Sequence, residues 1–394
     1  MDFSVLKPDV QKFIVENTGV DIAKLAFSRN PFTELNWQDV LGQIAARSKA
    51  EDKLPTWFNT QDIVYPPKIS IEQTSSEKTA EYKARIVSGK KLIDITGGFG
   101  VDDYYFAKRI DSIIHCEINP ELSEIASHNF KQLGVVNIRC FSGDGLKTLK
   151  SFTEKFDWIY IDPSRRHDAK GKVFMLADCL PNVTELLDTY FAFADNILIK
   201  TAPILDITAG LSELDYVKVI HIVASENEVK ELLWILSKDY SGPFSIKTVN
   251  LLKEYSQEFD IGAGPKPAAK LADTLLQYLY EPNAAIMKSG AFDEVGNRFN
   301  IKKLHQHSHL YTSDKIHADF PGRIFEIAQQ VEYNKKLMKQ FLENRQANIT
   351  IRNFSETVAD IRKKWKIKDG GSSYVFFTTR SDERKIALIC TKIK

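Results

Sequence analysis

Apolar residues along the chain fall into two rhythms. Near the N-terminus they recur at helical spacing. Val10, Phe13 and Ile14 share one face, and Val40, Leu41, Ile44 and Ala45 form another behind the capping residue Asn36. Pro55, Pro66 and Pro67 punctuate the exit from this helical stretch. From residue 91 the rhythm changes to short apolar runs of strand length, at 92–95, 112–116, 137–141, 158–161 and 196–199. Helical segments separate them. One opens at Asn119-Pro120, carries Leu122, Ile125, Ala126 and Phe130 on one face, and stops at Gly134. Strands alternating with helices predict a parallel sheet covered by helices. Two further apolar runs, 217–223 and 229–236, fit two more strands. Residues 244–252 add a strand.

The remainder reads as a separate region. Gly262, Gly264, Pro265 and Pro267 mark a linker. His305, His307 and His309 alternate, which on a half-exposed strand places them on one face. Three histidines alone fall short of the four convergent ligands of a structural metal site, so no metal is expected. The tail predicts a strand at 348–352, a helix at 356–365 and strands at 374–379 and 385–390, a compact β-α-β-β module. The expected domains are a helical cap over 1–67, an α/β domain over 68–262, a linker and small α+β domain over 263–334, and a basic module over 335–394.

Chemistry concentrates between the first two sheet strands. After Asp94 come Thr96, Gly97, Gly98 and Gly100, then a helical segment, a second strand and Glu117 at its end. Glycines let a ligand approach the backbone, and the following helix start presents free N–H groups. An acid about 20 residues beyond such a turn is placed to meet ribose hydroxyls. The dinucleotide fingerprint needs a third glycine, however, and this chain has Asp102 and Asp103 there. Acids at that point would repel a pyrophosphate. They suit a ligand carrying an ammonium and no phosphate, such as S-adenosylmethionine (SAM). A dinucleotide site and a glycine turn without ligand are the other readings.

The pattern Asp94-Ile95-Thr96-Gly97-Gly98-Phe99-Gly100 resembles motif I of class I SAM-dependent methyltransferases. The resemblance implies a Rossmann-like, seven-stranded sheet. It implies that Asp94, Thr96, Gly98 and Gly100 form the methionine-side loop, that Asp102 meets the ammonium, that Glu117 binds the ribose, and that Asp144 meets the adenine amino group. Gln73 and Ser75, just before the first strand, would line the same pocket. A second landmark, Asp162-Pro163-Ser164-Arg165-Arg166, resembles motif IV of enzymes that methylate exocyclic nitrogens of bases. There Asp162 and the Pro163 carbonyl would hold the acceptor and align its lone pair. Ser164 stands where that motif has a second proline, and Arg165 where it has an aromatic. An arginine can stack on a base or bind phosphate, which makes Arg165 the third candidate at the acceptor side.

Charge changes the picture once more. The formal net charge is only +1. Residues 335–394 nevertheless hold 15 Lys/Arg against 6 Asp/Glu. Such a lobe suits a polyanion, with RNA (rRNA or tRNA) the expected partner. Its basic helix weakly resembles THUMP-type modules, and the chain as a whole is similar to Bacteroidetes-type methyltransferases with a THUMP-like tail. Four scattered cysteines without a CxxC suggest neither zinc nor disulfides. No run reaches the ~18 apolar residues of a membrane span, and no leader is visible, so a cytoplasmic setting is expected. The expected function is methylation of a base nitrogen in structured RNA. The alternatives are a non-catalytic RNA-binding protein on the same fold, or a methyltransferase of proteins or small molecules.

Overall fold

The computed structural model describes residues 3–165, 175–264 and 266–394. The chain divides into two compact units, one of Met1–Ile220 with Glu231–Gly242, the other of His221–Lys230 with Pro243–Lys394.

The first unit opens with the expected helices, α1 (Pro8–Glu16), α2 (Ile22–Ala26), α3 (Trp37–Lys53) and α4 (Pro55–Asn59). The Asn36 side chain accepts from Gln38 N–H and starts α3. Val10, Ile14, Val40 and Ile44 bury together between α1 and α3. Trp57 is fully buried, with its ring 4.9 Å from that of Tyr104 and 6.2 Å from that of Phe99. It is thus a packing residue, of the kind whose truncation to alanine costs about 3–5 kcal/mol. Polar clamps join these helices to the chain beyond. The Asn129 amide exchanges two hydrogen bonds with the Val64 backbone, and Glu77 accepts from Thr56 and from the Tyr105 hydroxyl.

Helices α5 (Lys68–Gln73) and α6 (Glu77–Ile86) lead into the sheet, α6 being capped by Ser76. The strands are β1 (Lys91–Asp94), β2 (Ser112–Glu117), β3 (Ile138–Ser142), β4 (Phe156–Ile161), β5 (Ala194–Thr201), β6 (Val217–Ser225) and β7 (Glu228–Ser237). The helices between them are α7 (Val101–Phe106), α8 (Pro120–Gln132), α9 (Gly145–Lys150), α10 (Val183–Phe193) and α11 (Ile207–Glu213). The strands lie in the order β3-β2-β1-β4-β5-β7-β6. Neighbours from β3 to β5 run parallel, whereas β7 is antiparallel to β5. This is the Rossmann-like sheet that the motif I resemblance implies, but it has nine strands rather than seven, so the pair β6 and β7 does not form its edge. In such an order the chain reverses at β1, so a crevice opens above the C-terminal ends of β1 and β4.

The second unit contains the antiparallel pair β8 (Ser245–Leu251) and β9 (Ser256–Ile261). Next come β10 (Tyr278–Pro282), α12 (Ala284–Ser289), α13 (Phe292–Arg298), β11 (Lys302–Lys303), β12 (Tyr311–Ser313) and β13 (Gly322–Glu332). The tail adds α14 (Lys335–Phe341), β14 (Asn348–Arg352), α15 (Val358–Trp365), β15 (Ser373–Thr379) and β16 (Lys385–Lys392). The strands β10 to β16 form one sheet, ordered β11-β12-β10-β13-β16-β15-β14. The β-α-β-β tail is present as expected, with Met338, Ile361 and Trp365 of its helices sharing one core.

The histidine alternation does not form a strand. Residues 305–308 make a bend and turn, His305 and His309 point to different partners, and His307 is exposed. His305 Nδ1 accepts from the His307 backbone and the Asn353 amide, while His309 stacks on Phe292 with ring centroids 3.5 Å apart. A positive φ of 53° at His309 breaks the extended geometry that alternation required.

Candidate active site

Strand β1 delivers Asp94 to the floor of the crevice, where it is 2% exposed. Its Oδ1 accepts from the Thr96 N–H at 2.7 Å and from the Thr96 hydroxyl at 3.0 Å. Burial, then the nearby Asp103, pushes the Asp94 carboxyl well above the usual range, with His115 opposing.

The turn that follows needs glycine at two points for different reasons. A Cβ on Gly97 would lie 2.2 Å from the His115 ring, and one on Gly100 would lie 2.3 Å from Phe130. Gly100 also caps α7 with φ 82°, a conformation that L side chains rarely adopt. Beneath the turn, His115 Nδ1 lies 2.6 Å from Asp103 Oδ2, both side chains being fully buried. Burial favours the uncharged form of each partner, lowering the imidazole pKa and raising that of the carboxyl.

Glu117, at the end of β2, clasps the turn. Its Oε2 accepts from Gly98 N–H at 2.8 Å and its Oε1 from Asn119 N–H at 2.7 Å. Each oxygen keeps a lone pair for a further donor. At the end of β3, Asp144 is exposed and caps α9 through the Lys147 N–H at 2.9 Å.

Asp102 meets an ammonium, and it is the protein's own. Lys83 is fully buried and lies 3.2 Å from Asp102 Oδ1. The three Lys83 donors point elsewhere, to both Glu231 oxygens at 2.8 Å and to Ser75 Oγ at 3.0 Å. Asp102 Oδ2 accepts from Ser75 at 3.0 Å and Tyr160 at 2.7 Å, while its buried Oδ1 has no hydrogen-bond partner. The Lys83–Glu231 pair joins α6 to β7. Removing one member of such a pair costs about 3–5 kcal/mol because the other charge stays buried.

Asp162 leaves β4 at the crevice. Its N–H donates to Thr96 Oγ1 at 2.7 Å, and its Oδ2 forms an ion pair with Lys200 of β5. Burial pulls the Lys200 pKa down, but Asp162, Glu231 and Asp102 outweigh it and hold the ammonium above its ordinary value. Pro163 is buried beside Asp162, and Ser164 pairs across a two-residue ladder with Leu180.

These groups surround one cavity of about 750 Å3. Eight of the sequence-derived site residues line it: Asp94, Thr96, Gly98, Gly100, Asp102, Glu117, Asp144 and Asp162. Gln73 and Ser75 do so as well. Pro163 does not reach the lining, and the side chain of Arg165 lies outside the described residues. Sequence reasoning missed the apolar lining residues Ile118, Leu146, Leu180, Pro181 and Leu186. Ile118 could have been found, because it directly follows Glu117 and leaves its side chain 73% exposed. The buried Lys83–Glu231 pair carries no local signal, since its members are 148 positions apart.

Two family models match the second unit, one described as a ferredoxin-like domain over residues 278–321 and one as THUMP domain-like over residues 322–392. Among curated proteins none matches the chain. A solved structure from Porphyromonas gingivalis W83, provisionally named a methyltransferase, is 30% identical over 98% of both chains, with a TM-score of 0.88. An rRNA methylase from Streptococcus thermophilus is 13% identical, covering 41% of this chain and 93% of its own, with a TM-score of 0.30. A provisionally named methyltransferase from Escherichia coli is 15% identical, covering 41% and 85%, also with a TM-score of 0.30.

Proposed function

The chain belongs to the same family as the Porphyromonas gingivalis protein, a methyltransferase fold joined to a THUMP-like C-terminal domain, and on that basis we propose that it is a SAM-dependent methyltransferase acting on a base nitrogen of structured RNA. One observation carries the cofactor part. Five acidic side chains line the cavity, from Asp94, Asp102, Glu117, Asp144 and Asp162, and among the described lining residues there is no lysine, arginine or histidine. Such a wall disfavours pyrophosphate and favours a ligand with cationic groups and ribose hydroxyls.

Each residue then has a task. The Gly98–Gly100 turn admits the amino-acid end of the cofactor. Glu117 is already fixed by two backbone donors and has lone pairs left for the ribose hydroxyls. Ile118 and Leu146 offer apolar faces to the adenine, and Asp144 an acceptor for its amino group. When bound, SAM supplies an electrophilic methyl carbon. Asp162 accepts a hydrogen bond from the acceptor amine and turns its lone pair toward that carbon. Lys200 occupies one Asp162 oxygen, so the carboxylate is held in one orientation. With SAM bound, the site would supply methyl transfer to that amine, and Asp162 would guide the amine proton toward solvent. The chain's contribution is alignment, the factor that dominates such displacements.

The RNA part rests on the second unit. Lys335, Lys336, Lys339, Arg345, Lys366 and Lys368 are all exposed and form no ion pair among the described residues. By contrast Arg362 is bound to Asp369 and Lys364 to Glu356, which pairs two of the three basic residues of α15. Free surface cations on a small sheet suit phosphate contacts. Equilibrium dialysis against labelled SAM tests the cofactor assignment. Saturable binding that is lost in Asp94→Ala supports it, and no uptake by the wild type, with or without total RNA, contradicts it.

A further inference from the structure

We propose that the pocket selects SAM over its demethylated product, S-adenosylhomocysteine, by charge, with Asp102 as the principal determinant. The inference rests on the cofactor reading above. The two ligands share every group except the methyl, and only SAM carries the sulfonium charge. A site neutral toward charge would therefore hold them about equally.

Among the described residues this site has fewer cations than carboxylates. Asp102 and Asp162 both line the cavity, and Glu231 stands directly behind Lys83. Two ammonium groups face these three carboxylates, from Lys83 and Lys200. Lys83 spends its three donors on Glu231 and Ser75. Lys200 is bound to Asp162. Asp102 Oδ1 lies 3.2 Å from Lys83 Nζ but receives no hydrogen bond from it, so Asp102, 11% exposed, shares that single ammonium with Glu231. Asp102 also sits in the first turn of α7, but with only six residues that helix offers little compensation. Ser75 and Tyr160 donate to its other oxygen and hold the carboxylate in place without cancelling its charge. A partly enclosed cavity screens such an excess less than open water does. The sulfonium supplies the missing charge, and methyl transfer removes it. The product is thereby weakened in the site that made it.

Calorimetric titration of the full-length protein with SAM, with S-adenosylhomocysteine, and with an analogue bearing an ammonium in place of the sulfonium tests this directly. At low salt, SAM and the ammonium analogue should bind roughly tenfold or more tightly than the product, a ratio equivalent to about 1.4 kcal/mol. Asp102→Asn should narrow that ratio to about threefold or less, chiefly by weakening the two cationic ligands. Product binding as tight as SAM in the wild type would overturn the proposal, without needing any variant. So would an Asp102→Asn variant that weakens all three ligands alike. If none of the three binds, the cofactor reading itself fails and takes this inference with it.

Discussion

The backbone N–H of Asp162 donates to the hydroxyl of Thr96 at 2.7 Å. Thr96 passes the bond on to Asp94 at 3.0 Å. The loop proposed to hold the acceptor thus hangs from the loop proposed to hold the cofactor. Thr96→Val keeps the shape and deletes the hydroxyl, leaving the Asp162 N–H without an acceptor. A lost hydrogen bond of this kind costs about 1–2 kcal/mol locally. Amide exchange at Asp162 should quicken by roughly 5- to 30-fold in the valine variant and return toward the wild-type rate in Thr96→Ser. Hydrogen exchange read by NMR or mass spectrometry checks it, and equal rates in all three proteins would break the link.

Glu117 is both a structural clasp and the proposed ribose ligand. Glu117→Gln retains one acceptor but turns an NH2 toward a backbone N–H. Stability should fall by about 1–2 kcal/mol through the unmatched donor. SAM affinity should fall at least tenfold. Denaturant unfolding and SAM titration on the same sample separate the two effects. A variant with unchanged affinity would remove Glu117 from the ribose site.

Asp94 gives the stability profile a definite sign. Burial raises its pKa in the folded protein above the unfolded value, with Asp103 adding to the shift. Its contribution is therefore full at pH below the ordinary carboxylate range and is lost as pH rises through the raised folded-state pKa. Asp94→Asn offers an oxygen to both Thr96 donors without the charge. Its stability should decline less between about pH 5 and pH 8 than that of the wild type. Urea unfolding across that range checks this, and parallel profiles would contradict it.

The exposed cations of the second unit predict a salt signature. Replacing Lys336, Lys339 and Arg345 together by glutamate should leave folding nearly unchanged, since such surface changes stay within about 0.5 kcal/mol each. RNA affinity should drop, and the slope of log affinity against log salt should shrink by roughly 2–3. Fluorescence anisotropy over a salt series measures both. An unaltered slope would place RNA contacts elsewhere.

Much of the first unit was legible because its signals are local. Glycines, strand-end acids and capping residues such as Asn36, Ser76 and Asn119 act within a few positions of themselves. Together with the motif I and motif IV resemblances they mark the β1–α7–β2 segment and the eight lining residues. What could not be read depends on distant partners. Lys83 looks like one more charged residue in a helix until Glu231 arrives from β7. The Lys83 ammonium beside Asp102 was likewise not foreseeable. Leu180 and Pro181 reach the cavity from a loop whose sequence bears no motif. The histidine alternation misled because a period of two carries no information about φ, and Asn353 and Phe292 pull His305 and His309 apart.

The central claim is methyl transfer to RNA. The most direct measurement incubates the protein and methyl-labelled SAM with total RNA, total protein and small molecules from cells lacking the gene, and counts label in each fraction. The account predicts label in RNA, lost in Asp162→Ala, a variant that should still bind SAM. Label confined to protein or small molecules, or absent from every fraction despite bound SAM, would contradict it.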